Sequence, residues 1–359
     1  MDKFITVGEA AKILKVSPET LRRWDKSGKF ASTRHPINNY RVYSESQLLS
    51  LVEELKLDIS QTTKTSEKPF PYFETKVGKL FHMDAVDFLK NIEDASVDLV
   101  FADPPYNIKK AVWDTFASQK EYVNWSMEWI REAHRILSDR GSLYICGFSE
   151  ILADLKWASA SMFKGCKWLV WFYRNKGNLG NDWGRSHESI LHFRKSENYI
   201  YHIDEVRIPY NDHTLKYPKR KQAETSQFGN GKKSEYVWEP NPLGAKPKDV
   251  FEIPTISNGS WEKTPHPTQK PLELLRRIIL SSSNPDSTIV DPFGGSGTTY
   301  AVAEAYGRSW LGCDLSKEYC QLIKSRLGDK DFISRVLSMK DETDSQLRRI
   351  KLRGGEQSG

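Results

Sequence analysis

From about residue 73 onward, short runs of β-branched and aromatic residues alternate with amphipathic helical stretches. This alternation is typical of an α/β domain, because each parallel strand needs a crossover helix before the next one. Strands are predicted over residues 79–84, 97–103, 141–148, 168–174, 188–195, 287–293 and 309–314. Helices are predicted over residues 119–137, 149–160, 270–283, 298–306 and 316–327. The alternation stops between about 196 and 262, and so long an irregular insertion is usually functional or disordered.

Residues 1–57 precede this pattern and predict a separate small domain. Two short helices joined by a turn are followed by a wing-like segment and a third helix. Ser17, with a proline after it, is a suitable N-cap for the second helix. Arg22 and Arg23 on that helix and Arg41 in the wing give the domain a basic face. A helical dimerisation module would show a similar pattern, so that alternative stays open.

The remaining boundaries follow from composition. Residues 58–72 are polar and turn-rich, which predicts a linker. Residues 73–338 are long enough to form one large domain. Residues 339–359 are basic and predict a flexible tail.

Charge and cysteine usage exclude several classes of protein. The 359-residue chain carries a formal net charge of +6, a mild bias that suits a polyanionic partner. Its four cysteines include no CxxC pair, which argues against a disulfide framework and against a zinc site. No apolar stretch approaches the roughly 18 residues of a membrane span, and the N-terminus lacks the apolar core of a signal peptide. We therefore expect a cytoplasmic protein with no metal site.

A glycine-rich loop lies between two predicted strands in residues 287–316. At the carboxyl end of a parallel strand, such a loop is where nucleotides bind in doubly wound sheets. A P-loop is excluded because Thr298 and not lysine follows the last glycine, and a dinucleotide fingerprint is excluded because Tyr300 occupies its third small position. A nucleoside without a pyrophosphate remains, which points to S-adenosylmethionine. The residues predicted to bind it are Asp291, Phe293, Gly294, Gly295, Gly297 and Asp314, the last through ribose hydroxyls.

The sequence Asp103-Pro104-Pro105-Tyr106 follows another predicted strand. A simple turn would more often use glycine or asparagine there. Two successive prolines fix φ and supply no N–H, so they hold Asp103 and Tyr106 in a stiff relation. Taken alone, the segment is also compatible with a rigid turn that has no chemical role.

The segments "DPPY", "HPTQKP" and "DPFGGSGTT" together resemble the amino-methylating DNA methyltransferases of restriction–modification systems. The similarity covers about 73–328, and the motif order resembles the β-class, a circularly permuted form of the Rossmann-like S-adenosylmethionine-dependent methyltransferase fold. This resemblance implies that the insertion at 196–262 is the target-recognition region. It also implies roles for single residues: Asp103, Pro104, Pro105 and Tyr106 as catalytic, and His266, Thr268 and Lys270 on the cofactor side. A further family-like segment contains His187 and Glu188, which are equally compatible with a structural role.

Two segments are predicted to contact DNA. Residues 4–55 resemble the winged helix-turn-helix domain of the MerR and phage-excisionase group, which implies that Arg22, Arg23 and Arg41 contact phosphates. In the insertion, basic residues mix with aromatic ones, which suits a DNA face, although a solvated charged loop would look the same. The basic residues of this stretch are Lys216, Lys219, Arg220 and Lys221.

The resemblance implies transfer of a methyl group from S-adenosylmethionine to adenine N6 in double-stranded DNA. The target base must leave the duplex stack, which costs roughly a few kcal/mol, and the strands that carry the two key loops can be central neighbours. The Asp103 side chain and the Pro104 carbonyl are suited to accept from the amine, and the Tyr106 ring to stack on the base. A cognate restriction endonuclease acting separately is the implied partner. Two alternatives stay open: transfer to cytosine N4, and a non-catalytic helix-turn-helix regulator that senses S-adenosylmethionine.

Overall fold

The computed structural model describes residues 4–14, 16, 18–26, 30–34, 41–54, 69–107, 116–175, 181–218, 220–221 and 237–339. The chain divides into two compact units, Met1–Lys68 and Pro69–Gly359, so the division falls within the predicted linker. The predicted tail lies outside the described residues beyond residue 339. Within the described ranges, no helix has the length and apolar character needed to cross a membrane.

The first unit is a small domain whose described residues form three helices and three short strands. Its elements are β1 (Phe4–Thr6), α1 (Val7–Ile13), α2 (Pro18–Lys26), β2 (Thr33–Arg34), β3 (Arg41–Ser44) and α3 (Glu45–Glu54). The strands pair antiparallel in the order β1-β3-β2. Thr6 caps α1 in a reciprocal capping box with Glu9. The predicted helix-turn-helix, wing and third helix are confirmed, and β1 has no counterpart in the prediction.

The second unit is an α/β domain. Its strands are β4 (Phe73–Glu74), β5 (Gly78–His82), β6 (Val97–Ala102), β7 (Leu137–Gly147), β8 (Gly165–Phe172), β9 (His187–Arg194), β10 (Arg220–Lys221), β11 (Val237–Trp238), β12 (Val250–Glu252), β13 (Thr288–Asp291) and β14 (Ser309–Asp314). Its helices are α4 (Ala85–Lys90), α5 (Gln119–Ile136), α6 (Ser149–Ser159), α7 (Asp212–Lys216), α8 (Leu272–Ser282), α9 (Thr298–Ala305) and α10 (Lys317–Gly328), with a 3₁₀ turn at Ile203–Val206.

The main sheet has the strand order β12-β8-β9-β7-β6-β13-β14-β5-β4 among the described residues. Its centre, from β7 through β6, β13 and β14 to β5, is parallel as predicted. The predicted parallel arrangement does not extend to β9 and β4. β9 runs antiparallel to both β7 and β8, and β4 runs antiparallel to β5. A strand that pairs with its predecessor in the chain without a crossover helix runs antiparallel to it.

One strand of the sheet comes from the insertion at 196–262. β12 pairs in parallel with β8 at the edge, where the sequence predicts no strand. Its three residues are too few to show the alternation of polar and apolar residues that marks a strand. The insertion also contains α7 and the antiparallel pair β10-β11.

Helices cover both faces of the sheet, which makes the domain doubly wound. On β6, Val100 and Ala102 pack into the core formed with α4, α5 and α6. Leu99 and Phe101 on the same strand pack into the core formed with α8, α9 and α10. Successive side chains of a strand point to opposite faces, so the apolar run over residues 99–102 of β6 is that of a strand buried on both sides.

Candidate active site

The two predicted key loops leave the same edge of the sheet from neighbouring strands. β6 and β13 pair in parallel, with Leu99 opposite Ile289 and Val100 opposite Val290. The segments that follow them begin at Asp103 and at Asp291. The expectation that these strands are central neighbours is therefore confirmed, and the crevice between them is where ligands bind in open α/β sheets.

The glycine loop is built around the carboxyl group of Asp291, which is only 3% exposed. One of its oxygens accepts from the Phe293 N–H at 2.9 Å, and the other accepts from the Thr299 hydroxyl at 2.5 Å. Burial raises the pKa of Asp291 to about 8, although these two hydrogen bonds oppose the shift. This carboxyl group points into the glycine loop and links the start of that loop to the first turn of α9.

The carboxylate of Asp314, at the end of β14, shapes the same loop from the next strand. It accepts from the Gly295 N–H at 2.7 Å and from the Ser316 N–H at 2.7 Å. Gly295 has a φ of 51°, and a Cβ there would lie 3.0 Å from Nε2 of His266. A side chain at this position would therefore be strained and would press on His266.

Tyr300 occupies the position that excluded a dinucleotide fingerprint, and the structure shows how it fits. Its ring stacks on Trp310 with 4.8 Å between centroids, and its hydroxyl donates to the carbonyl oxygen of Asp291 at 2.7 Å. A Cβ on Gly312 would lie 2.1 Å from this ring. The close approach of helix to strand is thus made by a glycine on β14 and not by one on α9.

Four side chains form a buried charged cluster at the end of β6. The Lys270 ammonium lies 2.7 Å from Oδ2 of Asp103 and 3.4 Å from Oε2 of Glu188. The Tyr106 hydroxyl donates to Oδ1 of Asp103 at 2.5 Å and lies 3.3 Å from Oε2 of Glu188. The ammonium also lies 5.3 Å from the centre of the Tyr106 ring. We name these residues, Asp103, Tyr106, Glu188 and Lys270, the charged cluster.

The Lys270 ammonium of the charged cluster lies between two carboxyl groups, those of Asp103 and Glu188. Burial alone would lower the pKa of Lys270, but the carboxylates of Asp103 and Glu188 outweigh it, so the pKa is raised. Burial raises the pKa of Tyr106 well above its ordinary value, and the same two carboxylates raise it further. The lysine is therefore a cation and the tyrosine a neutral donor over the physiological pH range.

His266 and Thr268 line the crevice, with His266 directly beside the glycine loop. The His266 ring packs edge-on against Tyr319 with 4.6 Å between centroids, and its Nδ1 accepts from the Thr268 N–H at 3.4 Å. Burial lowers the pKa of His266 to about 4, and the neighbouring Lys270 and Lys263 act in the same direction. The imidazole is neutral at pH 7.

A cavity of about 470 Å³ joins these groups. Nearly all the predicted site residues line it: Asp103, Pro104, Pro105, Tyr106, His266, Thr268, Lys270, Asp291, Phe293, Gly294, Gly295 and Asp314. Gly297 does not line the cavity. It is the N-cap residue of α9, with a φ of 73°. Lys270, predicted on the cofactor side, lines the cavity with its ammonium on Asp103, because the segment before α8 passes across the end of β6.

The structure adds residues that sequence reasoning missed or left open. Glu188 belongs to the charged cluster, and only its place in a family-like segment pointed to it. Asp84 and Ser316 line the cavity at the ends of β5 and β14. Their signal was their position directly after strands whose carboxyl ends face this edge. Trp129 packs edge-on against Phe293 and supports it from α5, which no local pattern revealed.

The residues predicted to contact DNA are only partly described. Arg22 lies on α2, and Arg41 is ion-paired to Asp25 at 2.6 Å. A backbone hydrogen bond from Ser32 and then the Arg41 side chain lower the pKa of Asp25 to about 2. Lys216 ends α7 on an exposed surface. Outside the described residues lie Lys219 and the side chains of Arg23, Arg220 and Lys221.

The fold is similar to that of a solved DNA methyltransferase. The PvuII DNA methyltransferase (cytosine-N4-specific) superposes with a TM-score of 0.55 over 75% of this chain and 96% of that one, at 18% sequence identity. At that identity the likeness concerns the fold alone. It defines an α/β methyltransferase architecture, with the Asp103 and Asp291 loops at one edge.

Sequence comparisons identify the family. Residues 97–325 match the family described as DNA methylase, and the chain belongs to this family of S-adenosylmethionine-dependent DNA methyltransferases. Residues 6–43 match the MerR family regulatory protein description. The chain is 35% identical over 257 residues to the type II methyltransferase M1.MboII of Moraxella bovis, covering 68% of this chain and 94% of that one. It is 34% identical over 261 residues to the DNA adenine methyltransferase YhdJ of Escherichia coli (strain K12), covering 71% and 84%.

The cavity fits the cofactor of this family. Besides Asp291, whose raised pKa of about 8 keeps it largely neutral at pH 7, its described lining includes the carboxyl groups of Asp84, Asp103 and Asp314. Its one described lysine is already paired with Asp103. An acidic lining suits a ligand that carries a positive sulfonium and an ammonium group. The aromatic plate of Phe293 and the backbone of the glycine loop suit the flat, uncharged part of a nucleoside.

Proposed function

We propose that this protein transfers a methyl group from S-adenosylmethionine to N6 of adenine in double-stranded DNA. The observation that carries the proposal is the shared cavity, in which the Asp103 carboxylate faces the space bounded by the glycine loop. The similarity to a relative named a DNA adenine methyltransferase supports the choice of base. The aspartate at the first position of the "DPPY" segment is the usual adenine form in the family that the segment resembles.

The chain would act on the base chiefly by position. An exocyclic amine is a poor nucleophile because its lone pair is delocalised into the ring. Two acceptors held against its two N–H groups, the Asp103 carboxylate and the Pro104 carbonyl, would draw the nitrogen towards tetrahedral geometry and localise that pair. The Tyr106 ring would stack on the extruded base and contribute about 1–3 kcal/mol, which offsets the cost of leaving the duplex.

The cofactor side of the cavity would orient S-adenosylmethionine relative to the target amine. When bound, S-adenosylmethionine supplies a methyl group activated by a sulfonium. Phe293, Gly294 and Gly295 would hold its adenosine, with Asp314 towards the ribose. Thr268 and His266 would line the same cavity beside the loop. Asp291 and Gly297 would act by keeping the loop in shape. Fixed geometry and fixed charges can supply most of the rate enhancement of such a displacement.

Transfer to cytosine N4 is the second candidate. That amine is bound to the same kind of ring carbon and would use the same two acceptors. The family description of DNA methylases covers both bases, since the matched family is named for N6 and N4 methylation.

The deciding experiment is incubation with labelled S-adenosylmethionine and unmethylated DNA of mixed sequence, followed by nucleoside analysis. We expect N6-methyladenine. Recovery of N4-methylcytosine alone would select the second candidate. No methylated base on any DNA tested would favour the regulator in which the large domain only senses the cofactor.

We further infer that the insertion at 196–262 recognises the target sequence and that the enzyme works within a restriction–modification system. Relatives named type II methyltransferases support this context. Lys216 and the aromatic Tyr217 beside it lie exposed on α7, as a DNA face requires. A separate endonuclease that cuts the same sequence is the partner we propose, and cleavage protection of DNA carrying the sequenced methylation sites would reveal it.

The N-terminal unit would add affinity through phosphate contacts. The residues expected to make these contacts are Arg22, Arg23 and Arg41. Removal of one phosphate contact lowers the slope of log K against log salt by about 0.9, so deletion of residues 1–57 should lower it by roughly two to three units. Binding titrations at several salt concentrations test this. An unchanged slope would indicate a protein-interaction module, and a changed methylation sequence would show that the unit reads bases.

A further inference from the structure

The Tyr106 hydroxyl faces two carboxylates and has one proton to donate. It lies 2.5 Å from Oδ1 of Asp103 and 3.3 Å from Oε2 of Glu188. A neutral phenol donates one hydrogen bond at a time. Burial and the two carboxylates keep the pKa of Tyr106 well above 10, so the hydroxyl stays a donor throughout. The tyrosine can therefore serve one acceptor or the other.

Both oxygens of Asp103 are already engaged in this arrangement. Oδ1 accepts from Tyr106, and Oδ2 accepts from the Lys270 ammonium at 2.7 Å. Each donor draws charge from the carboxylate and weakens it as an acceptor for a further N–H group. The amine that Asp103 is proposed to bind therefore competes with a hydrogen bond inside the protein.

Glu188 is placed to relieve that competition. It lies on β9, opposite Trp171 of β8, so the sheet fixes its backbone beside the charged cluster. Its Oε2 is 3.4 Å from the Lys270 ammonium, which also contacts Asp103, and its side chain is largely buried. Rotation of the Tyr106 O–H bond towards Glu188 needs no backbone movement.

We propose that Glu188 is a positioning residue that accepts the Tyr106 hydroxyl when the target amine takes Oδ1 of Asp103. The exchange conserves the number of hydrogen bonds. The target amine donates to Asp103 in place of the Tyr106 hydroxyl, and that hydroxyl donates to Glu188 instead. Lys270 contacts both carboxylates before and after the exchange. The inference rests on the proposed function, in that it needs an exocyclic amine as the methyl acceptor.

A double-mutant cycle between Glu188→Gln and Tyr106→Phe tests the exchange. The measured quantity is kcat for methyl incorporation into plasmid DNA from a host that lacks DNA methylation, at saturating S-adenosylmethionine. A glutamine side chain is a neutral and weaker acceptor, so Glu188→Gln alone should lower kcat about tenfold. In the Tyr106→Phe background no hydroxyl occupies Oδ1, so the same change should lower kcat less than about twofold. The Kd for S-adenosylmethionine should stay within about twofold in all variants.

Glu132→Gln is the matched control. Glu132 is a partly buried acid on α5 that pairs with Arg135, away from the cavity lining. Glu132→Gln should leave kcat unchanged. An effect of Glu188→Gln on kcat would then be due to Glu188 itself and not to the loss of an ion-paired acid in general. Thermal unfolding of each variant checks the fold.

Equal losses of kcat from Glu188→Gln in both backgrounds would overturn the inference, because Glu188 would then act without the hydroxyl. A loss confined to the Kd for the cofactor would overturn it as well. Total methyl incorporation does not depend on which base is methylated, so N4-methylcytosine as product would reject adenine while the cycle still decides the role of Glu188. A wild-type protein that incorporates no methyl group would reject the proposed function and this inference with it.

Discussion

Two Asp-Pro pairs follow neighbouring central strands of the sheet, and their aspartates have opposite surroundings. Asp103 is held by Tyr106 of its own segment and by Lys270 from a distant part of the chain, and both of these contact Glu188. Asp291 is held within its own loop by the Phe293 N–H and the Thr299 hydroxyl. The Asp103 carboxylate sits beside a buried cation, whereas burial raises the pKa of Asp291 to about 8.

The difference shows that an aspartate after a strand has no fixed role. A carboxylate that lines the cavity and accepts from a buried lysine is held in place and can act on a ligand. A carboxyl group that is buried among neutral donors serves mainly to close a loop, and it binds a proton more readily. The same dipeptide therefore supplies a reacting group in one loop and a structural group in the other.

The largest expected effect is on methyl transfer by Asp103→Ala. The change removes an acceptor aimed at the target amine, so kcat should fall by at least about 10²–10³-fold. Binding of S-adenosylmethionine, measured by calorimetry, should change no more than a few fold. Glu188 remains beside Lys270 in this variant, so the fold should survive, which thermal unfolding would check. If cofactor binding falls as far as turnover, the separation of the two loops is wrong.

Asp314→Ala should show the reverse pattern. It removes the acceptor of two backbone N–H groups, at Gly295 and Ser316, and with it the proposed ribose contact. We expect the Kd for S-adenosylmethionine to rise about 10–100-fold, which corresponds to roughly 1.4–2.8 kcal/mol. Turnover at saturating cofactor should fall much less. An unchanged Kd would mean that the glycine loop keeps its shape and its ligand without this acid.

A smaller effect, on stability, is expected at Asp291. Asp291→Ala leaves the Phe293 N–H and the Thr299 hydroxyl buried without this partner, which should cost about 1–3 kcal/mol. Asp291→Asn keeps an acceptor for Phe293, and Thr299 can accept from its amide, so it should cost less. Chemical unfolding at pH 7 compares the two. Equal losses would show that the charge of Asp291, and not its hydrogen bonds, organises the loop.

The raised pKa of Asp291 also predicts how stability changes with pH. Between its ordinary pKa of 3.8 and about 8, the folded chain holds a proton on Asp291 that the unfolded chain has released. Stability from this group therefore falls as pH rises through that window, by up to about 1.4 kcal/mol per pH unit. Asp291→Asn lacks this dependence, so its stability relative to wild type should increase from pH 5 to pH 8. A constant difference would contradict the raised pKa.

Sequence reasoning located both loops because their signals are local. The glycines, the proline pair and the strands before them lie within a few residues of each other, and the alternation of strands and helices made the crevice between them predictable. Helices α5, α6, α8, α9 and α10 lie within a few residues of their predicted bounds for the same reason. A functional loop can be predicted from the sequence when the residues that form it are neighbours in the chain.

What the sequence did not reveal depends on contacts between distant segments. Lys270 was predicted on the cofactor side because its segment resembles a cofactor-side motif of the family, yet its ammonium contacts Asp103, 167 residues away. Glu188 reaches the same point from β9, whose antiparallel direction the strand pattern does not encode. Tyr300 is accommodated by Gly312, a pairing that only the packing of helix on strand makes visible.

The most direct test of the account is a comparison of Asp103→Asn with Asp291→Asn in single-turnover methyl transfer at saturating S-adenosylmethionine. Both changes replace a carboxyl group by an amide of nearly the same size after neighbouring strands. We predict that Asp103→Asn lowers the rate at least about 100-fold and that Asp291→Asn stays within about tenfold of wild type. Equal losses, or a larger loss at Asp291, would contradict the assignment of the reacting carboxylate to Asp103.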